Sequence, residues 1–335
     1  MKYAIVGCGL IGKKRLAGLP AGSTLAVACD TNLSRAGELV KLAQAGRAGA
    51  DFKQAVADPR VEAVIVATIN SALAGVAAAA IRAGKHVIVE KPAGISVKQI
   101  DELISLAEQH GVCVRVGFNH RYHPAFIKAR EIFGSGVMGE LMFVRARYGH
   151  GGRVGYDKEW RADPKLSGGG ELIDQGIHLI DLAGWFLGGF KTVHGHAATF
   201  FWNMPVDDNA FLSLRTAKGR TAWLHVSCTE WKNLFSFEIY GRNTKLHIEG
   251  LGGSYGVEKL YHYQMKPEMG PPDTKLYEFP GPDESWRIEM TEFEKDVQLK
   301  RKPDAGLAEA RAALQIVEQI YRKSGFNFDC TPPKP

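Results

Sequence analysis

The stretch that decides the fold begins at Tyr3, ends at Gly12 and reads YAIVGCGLIG. A short apolar run typical of a buried strand leads directly into the pattern GxGxxG, formed by Gly7, Gly9 and Gly12. Glycines at this spacing allow a tight turn, close approach of the backbone to a pyrophosphate, and close packing of a helix against a strand. The pattern alone is weak, but here a strand precedes it, a helix-forming run follows it, and Asp30 ends the next strand. The stretch therefore predicts a Rossmann-type α/β domain that binds a dinucleotide.

Outward from this stretch, residues 1–118 alternate short β-branched runs with alanine-rich, helix-forming runs. This alternation indicates βαβ units and a parallel sheet. Five nearly continuous apolar runs, as expected of strands buried on both faces, are the predicted strands: Tyr3–Val6, Leu25–Cys29, Ala63–Ala67, His86–Val89 and Cys113–Gly117. We expect residues 1–118 to form the dinucleotide-binding domain.

The cofactor expected in this domain is NAD. The helix after the glycines presents amide groups and a positive dipole to phosphates, which places Leu10 and Ile11 of its first turn at the cofactor. Asp30 is suited to accept hydrogen bonds from an adenosine ribose and to repel a 2′-phosphate, which favours NAD over NADP. Arg35 and the basic run 13–15 keep NADP as the alternative, although charge runs are usually solvated helix faces.

From residue 119 the pattern changes, and residues 119–335 are predicted to form a second domain. A helix, a strand, a glycine- and charge-rich loop and another helix come first, at 124–133, 141–148, 149–170 and 171–187. Turn signals then separate further strands, at Thr192–Trp202, Asn209–Thr216, Thr221–Thr229, Phe235–Gly241 and Lys245–Glu249. Consecutive strands of this kind predict a mostly antiparallel sheet in an α+β domain. Apolar residues at helical spacing predict a closing helix within 305–323.

Composition and charge exclude several classes of protein. The 335 residues carry a net charge of +6, of which +5 falls in the half expected to bind an anionic dinucleotide. No aromatic-interleaved basic stripe accompanies this charge, so a nucleic acid partner is not expected. The longest apolar stretches are about ten residues, short of the ~20 that cross a bilayer, and no membrane association is expected. Five cysteines without CxxC spacing favour a reducing cytoplasm over a disulfide framework or zinc site.

Two further motifs carry candidate catalytic residues. Glu90-Lys91-Pro92 follows a predicted strand at the carboxyl edge, where open α/β sheets bind ligands, so its lysine is expected to face the cofactor. The second motif reads GGGELIDQGIHLID at 168–181. Its polar residues are spaced to share one face of a helix: Asp174, His178 and Asp181. Such a polar stripe either lines a cleft or forms a satisfied buried network, and the motif by itself leaves both alternatives open.

Taken together, GxGxxG, EKP and GGGxLxDxGxHxxD at these separations resemble the motif set of the Gfo/Idh/MocA oxidoreductases, a family that includes inositol and sugar dehydrogenases. The resemblance covers nearly the whole chain. It implies a second domain with a large open sheet, a closing helix packed toward the first domain, and homodimers or homotetramers formed through the sheet. By motif, it implies catalytic roles for Lys91, Asp174 and His178, and cofactor contacts for Thr68, Asn70, Glu90, Lys91 and Arg161.

One segment departs from the family pattern. After the third strand the family usually reads roughly TPNxxH, whereas this chain reads TINSAL at 68–73. Asn70 is retained and is expected to contact the cofactor. Leu73 stands in place of the histidine, which leaves the hydrogen bonds near the nicotinamide open.

The residue types fit the oxidation of a secondary alcohol, in which nicotinamide takes the hydride and the protein manages the proton. His178 is the natural general base, Lys91 would donate a hydrogen bond to the reacting oxygen, and Asp174 would bind an adjacent hydroxyl. Asp181 is expected to orient the His178 ring or to complete a buried network. The implied substrate is a sugar, nucleotide sugar or polyol, with or without an anionic group. Its candidate contacts are Asn119, Arg121, Tyr148, Arg153, Tyr156, Asp174 and His178.

Two other functions stay open at this point. Some proteins that resemble this family are glycoside hydrolases that oxidise and then re-reduce the substrate with a retained NAD. The second alternative is a non-catalytic regulator that senses a dinucleotide, which the presence of Lys91 and His178 disfavours. No metal is expected, because the histidines of the second half lack clear zinc-site spacing: His120, His123, His150 and His178.

Overall fold

The computed structural model describes residues 1–328, which form two sheets. The first sheet is wholly parallel and has the strand order β3-β2-β1-β4-β5-β6. Its strands are β1 (Lys2–Val6), β2 (Thr24–Cys29), β3 (Arg47–Gly49), β4 (Ala63–Val66), β5 (His86–Glu90) and β6 (Val114–Gly117). The helices between them are α1 (Leu10–Ala17), α2 (Leu33–Ala43), α3 (Phe52–Ala57), α4 (Asn70–Arg82) and α5 (Val97–His110).

The five predicted strands of this sheet are confirmed to within one residue at each end, and the Rossmann-like fold is confirmed with them. The short strand β3 was not predicted, because its three residues, RAG, have no β-branched or aromatic side chain. The chain winds outward in both directions from β1 and β4, which lie side by side. In an open parallel sheet, ligands bind at such a switch point, in the crevice beyond the carboxyl ends of the strands.

The second sheet has eight strands in the order β14-β13-β12-β11-β7-β10-β9-β8, and all neighbours are antiparallel except β7 and β10. Its strands are β7 (Leu141–Gly149), β8 (Phe190–Ala198), β9 (Asn209–Thr216), β10 (Thr221–Ser227), β11 (Leu234–Gly241), β12 (Thr244–Glu249), β13 (Glu258–Gln264) and β14 (Asp273–Phe279). The helices are α6 (Pro124–Gly134), α7 (Pro164–Ser167), α8 (Ile177–Leu187), α9 (Ser285–Leu299) and α10 (Leu307–Lys323). The prediction of a large, mostly antiparallel sheet is confirmed.

Sequence patterns missed four elements of this half, α7, β13, β14 and α9. Polar and charged residues interrupt β14, which lies at the sheet edge with most of its side chains exposed, so its apolar pattern is weak. The predicted helix 171–187 is present, but its first part, Leu172–Gly176, is a π-helical turn that leads into α8. Such turns are common at functional sites, because the wider turn redirects side chains.

The closing helix α10 begins and ends within the predicted range and contacts both halves of the chain. It packs on α5 and β6 of the first half and on α8 and β8 of the second. Glu318 accepts a hydrogen bond from the backbone N–H of Val97 at 2.7 Å, and Arg311 pairs with Asp101 at 2.5 Å. The helix therefore fixes the position of one sheet relative to the other.

A buried ionic cluster joins α1 to β5 and α9. Arg15 is 0% exposed and its guanidinium lies 2.6 Å from both the Glu90 and Glu289 carboxylates. The sequence interpretation of 13–15 as a solvated face is wrong for Arg15, because α9, which was not predicted, covers this side of α1. Glu90 Oε1 accepts from Arg15, and the Glu90 side chain also reaches the cavity described below, so its expected cofactor contact stays a prediction.

Replacing Arg15 by methionine is expected to lower the free energy of unfolding by about 3 kcal/mol, because two buried carboxylates lose their shared cation. Urea denaturation followed by circular dichroism measures the change. Lys13→Met on the same helix is the matched control: its pair with Glu38 is exposed, and a loss below about 1 kcal/mol is expected. Equal losses in the two variants would show that the buried cluster is not needed for stability.

Candidate active site

The glycine stretch forms a tight loop between β1 and α1. Gly7 has a φ of +95°, and a Cβ atom there would lie 2.3 Å from the Ala67 carbonyl oxygen. A Cβ on Gly12 would lie 2.1 Å from the Gly7 carbonyl oxygen, so both positions exclude a side chain. At Gly9, by contrast, a Cβ would meet no atom of residues 1–328 within 4 Å apart from its own chain neighbours. The loop is thus closed toward the protein and open on the side that faces the crevice.

This open side fits a dinucleotide. Helix α1 begins at Leu10 with no side chain of the described residues capping it, which leaves its first amide groups available to phosphates. Asp30 follows β2 and accepts hydrogen bonds from the backbone N–H groups of Cys8 and Asn32, both at 2.8 Å. Its carboxylate is thereby held beside the glycine loop with lone pairs remaining for ribose hydroxyls. Ile11 lines the cavity that continues from the loop.

A cavity of about 260 Å³ extends from the first turns of α1, at Ile11 and Lys14, to α8. The ends of β4 and β5 form one wall, and the π turn and α8 form the opposite wall. Several predicted site residues line it: Ile11, Thr68, Asn70, Glu90, Lys91, Asn119, Tyr148, Arg161, Asp174 and His178. The structure therefore brings the EKP and DxxxH motifs together across one cavity, although they are more than eighty residues apart in the sequence.

Lys91, Asp174 and Arg161 form an ionic cluster in this cavity. The Lys91 ammonium donates to the Asp174 carboxylate and, at 2.6 Å, to the Asp174 backbone carbonyl. Arg161 Nε donates to the other oxygen of the same carboxylate at 3.0 Å. Burial raises the pKa of Asp174, but Lys91 and Arg161 outweigh it and hold that pKa below its usual range. Asp174 is therefore ionised and fixes the Lys91 ammonium at the carboxyl end of β5.

His178 lies on the first turn of α8 and is buried. Its ring is stacked on that of His120, with ring centroids 3.7 Å apart and an angle of 14° between the planes. Its Nδ1 is buried without a hydrogen-bond partner among residues 1–328, which leaves Nε2 as the nitrogen open to the cavity. Burial lowers the pKa of His178 well below the usual value, Lys91 lowers it further, and Asp174 opposes them. His178 is therefore neutral and able to accept a proton.

Of the two roles expected of Asp181, the structure shows the buried network and not a contact with the His178 ring. Asp181 is buried and forms a bidentate pair with Arg121, at 2.8 Å from Nε and 2.6 Å from Nη2. Arg121 also donates to the Asp304 carbonyl at 2.5 Å and is 3% exposed, so its guanidinium is bound inside the protein and does not line the cavity in which a substrate contact is expected. Helix spacing places Asp181 near His178, but the buried guanidinium satisfies its carboxylate. This pair ties the turn after β6 to α8.

The remaining predicted residues lie in three different places. Thr68 and Asn70 stand at the end of β4 and line the cavity, and Asn70 donates to the Ser167 carbonyl at 2.8 Å. Tyr156 lies instead in a small enclosed cavity beside Asp174, and its hydroxyl approaches Glu171 at 3.5 Å. Arg153 is exposed and pairs with Glu159, outside both cavities. Its expected substrate contact stays a prediction, since the structure shows its guanidinium on the Glu159 carboxylate and not in the wall of either cavity.

Two segments of the cavity wall were not predicted. The loop after β12 contributes Leu251, Gly252, Ser254 and Tyr255, and the start of α9 contributes Asp283 and Trp286. The glycine-rich sequence GLGGSYG at 250–256 is a recognisable loop signal. Its place at the cavity depends on the order of strands in the second sheet, which this signal does not contain.

Metal-ligating clusters and membrane-spanning helices are both absent from residues 1–328. These residues contain no group of three or more His, Cys, Asp or Glu side chains placed to hold a metal ion. They also form no helix that is long and apolar enough to cross a membrane. Cys8, Cys29, Cys113 and Cys228 are free thiols, and Cys330 lies outside the described residues.

Comparison with known proteins places the chain in a family. Residues 1–118 match the model described as an oxidoreductase family with an NAD-binding Rossmann fold, and residues 126–247 match the GFO/IDH/MocA C-terminal domain. These matches agree with the two sheets and with the cavity between them. The chain belongs to the Gfo/Idh/MocA family of NAD-binding oxidoreductases.

Individual relatives are more distant. The chain is 31% identical to inositol 2-dehydrogenase of Salmonella typhimurium over 58% of its own length and 56% of that protein. It is 27% identical to levoglucosan dehydrogenase of Pseudarthrobacter phenanthrenivorans over 60% of its length and 52% of that protein. The chain thus matches little more than half the length of these relatives. A solved structure of levoglucosan dehydrogenase with NADH has the same fold, with a TM-score of 0.86 at 22% identity over 97% of this chain and 98% of that one.

Proposed function

We propose that this protein is an NAD-dependent oxidoreductase that transfers hydride between nicotinamide and a secondary alcohol or ketone of a sugar, nucleotide sugar or polyol. The observation that carries the proposal is the convergence of Lys91, Asp174 and His178 on one cavity beside the glycine loop. Family membership and the dehydrogenase names of the relatives support the same reaction class. Nicotinamide, when bound, supplies the hydride acceptor.

In this reaction, His178 is assigned to accept the hydroxyl proton of the substrate. Hydride leaves a carbinol carbon readily only when the hydroxyl proton is taken up, and a neutral imidazole in the cavity is suited to take it. Burial and the nearby Lys91 ammonium keep His178 neutral before the reaction. The same surroundings make the imidazolium short-lived, so the proton is readily passed on.

Lys91 is assigned to donate a hydrogen bond to the reacting oxygen of the substrate. Its ammonium carries three donors, of which the Asp174 carboxylate and carbonyl use two. The third donor can bind the substrate oxygen, and this bond strengthens as the oxygen gains negative charge in the transition state. Asp174 positions the ammonium and, with Arg161, provides polar groups for an adjacent substrate hydroxyl.

The position of Asp30 supports NAD rather than NADP as the cofactor of this chain. Replacing Asp30 by asparagine removes the charge that repels a 2′-phosphate, so the preference for NADH over NADPH is expected to fall at least about tenfold. Isothermal titration with the two reduced nucleotides measures the ratio, and Asp51→Asn, at the start of α3, is a matched control. A wild-type protein that binds NADPH alone would contradict the assignment of Asp30.

The reaction is tested with a panel of inositols, free sugars and nucleotide sugars offered with NAD or NADP, while nicotinamide reduction is followed. We expect NADH to accumulate with at least one class of alcohol, in proportion to the ketone formed. Release of a free sugar from a glycoside without net NADH would identify an NAD-recycling hydrolase instead. Tight dinucleotide binding without turnover of any alcohol, ketone or glycoside would point to a regulator.

We also propose that the chain divides near residue 118 and forms a homodimer or homotetramer through the second sheet. Helices α6, α8 and α10 pack on one face of this sheet. Phe143 on β7 and Trp223 on β10 are large apolar side chains exposed on the same face of the sheet, and Met142 and Leu276 are exposed elsewhere on its strands. Exposed apolar side chains on a sheet face favour an interface there. Sedimentation equilibrium measures the oligomeric state.

We also propose a cytoplasmic location, with which the free cysteines of the described residues agree.

A further inference from the structure

The His178 ring lacks the contact that usually orients a catalytic imidazole. In most such sites, a hydrogen bond to one ring nitrogen fixes the tautomer and direction of the other. Here Nδ1 is buried with no partner in the described chain. What the ring has instead is a flat contact with His120 and an edge contact with Phe118, whose centroid is 6.0 Å away at 83°.

His120 itself is fixed at both nitrogens. It lies in the turn Asn119–Tyr122, directly after β6, and is buried. Its Nδ1 lies 3.1 Å from the Asn119 side-chain oxygen, and its Nε2 lies 3.2 Å from the Tyr148 hydroxyl. A ring bonded on two opposite sides cannot rotate without breaking one of these bonds.

The direction of these hydrogen bonds follows from a chain that ends on a carboxylate. Burial raises the pKa of Asp283, but His123 and the hydrogen bonds that Asp283 accepts hold this pKa below its usual value. Asp283 is therefore ionised and can only accept hydrogen bonds. Ser285 donates to Asp283 at 2.5 Å and therefore accepts from the Asn119 amide at 3.0 Å. The Asn119 oxygen then accepts from His120 Nδ1–H. His120 Nε2 consequently accepts from the Tyr148 hydroxyl, and the neutral ring has no free nitrogen.

We propose that His120 is a positioning residue for His178: its fixed ring is the surface that holds the His178 imidazole with Nε2 toward the cavity. The inference rests on the proposed function, because it assigns His178 the proton. His120 does not itself receive that proton, since both of its nitrogens are in use.

The charged and titratable groups around His178 come from every neighbouring element. Lys91 approaches from the end of β5, Asp174 from the π turn, and His120 and His123 from the turn after β6. Burial and the other histidines hold the pKa of His120 well below its usual value. Removing the His120 ring would admit water beside His178, and its pKa would then rise toward the usual value.

Two substitutions distinguish the contribution of the flat His120 ring from that of its hydrogen bonds. His120→Ala removes the ring, and kcat is expected to fall about 10²-fold with little change in KM, because the base is misplaced rather than lost. His120→Phe keeps a flat ring and is expected to recover at least tenfold of that loss. The control is His262→Ala, which removes another buried histidine, on β13 and away from the cavity, and should leave kcat unchanged.

Nuclear magnetic resonance of the cofactor-free protein gives a readout that does not depend on turnover. In protein labelled with ¹⁵N-histidine, we expect His120 to carry its proton on Nδ1 and to remain neutral at physiological pH. In His120→Ala we expect the titration of His178 to move to higher pH, and the acid limb of the kcat/KM profile to move with it. If His120→Ala does not fold, two other measurements still test the proposal. They are the tautomer of His120 in the wild type and the activity of His120→Phe.

The inference is overturned if His120 carries its proton on Nε2, or if His120→Ala keeps both the wild-type kcat and the wild-type titration of His178. Failure of the proposed function looks different. In that case the wild type turns over no alcohol or ketone, while the histidine spectra still report whether the two rings are stacked.

Discussion

His178→Ala is expected to lower kcat by ~10²–10⁴, the usual contribution of a positioned general base. The reason is that the cavity then offers no neutral nitrogen at the place where the hydroxyl proton must go. Binding of NADH should be nearly unchanged, because the glycine loop and Asp30 are on the far side of the cavity from α8. Steady-state kinetics and fluorescence titration with NADH measure the two quantities.

Two matched variants make this result specific. His178→Gln keeps a polar side chain at the position but cannot accept the proton, so it should be as inactive as His178→Ala. His262→Ala removes a buried histidine elsewhere and should retain wild-type kcat. Activity of His178→Gln close to that of the wild type would mean that the residue only fills space, and the assignment of the proton to His178 would fail.

Lys91→Met is expected to lower kcat by ~10²–10³, the usual cost of removing one donor to a developing oxyanion. Methionine has nearly the length of lysine but no charge, so the cavity keeps its shape. In the wild type, Lys91 and Arg161 together hold the pKa of Asp174 down. The variant loses Lys91, the nearer of these two cations, so the pKa of Asp174 should rise. Kinetics at several pH values and titration with NADH measure these effects.

The control for this variant is Lys53→Met on the exposed side of α3, which should have wild-type kinetics. NADH affinity should also be preserved in Lys91→Met. Loss of NADH binding together with activity would make Lys91 a cofactor-binding residue alone. Undiminished turnover in Lys91→Met would show that Lys91 takes no part in the mechanism.

The parts of the site that could be predicted are those encoded by local sequence. Gly7 and Gly12 mark positions where any Cβ would collide with backbone, and Asp30 and Lys91 directly follow strands whose apolar runs are unmistakable. Parallel strands end at the same edge of a sheet, so residues that follow them are brought together. The cofactor half of the site and its fold follow from these few rules.

The parts that could not be predicted depend on partners distant in sequence. Asp181 has the spacing of a site residue, yet Arg121, sixty positions earlier, takes its carboxylate. Arg15 belongs to a basic run that looks solvated, but α9 buries it beside Glu289. The stacking of His120 on His178 likewise depends on how β6 and α8 meet in space.

The central claim is that hydride moves between a substrate carbon and nicotinamide while His178 and Lys91 manage the proton. Its most direct test uses a substrate from the active class of the panel, deuterated at the carbinol carbon and incubated with NAD. We expect deuterium to appear in the NADH made by the wild type, at a slower rate than for the unlabelled substrate. We expect both His178→Ala and Lys91→Met to make this NADH at least about a hundredfold more slowly. Deuterium that stays on the substrate or is lost to water, with none in the nucleotide, would contradict it.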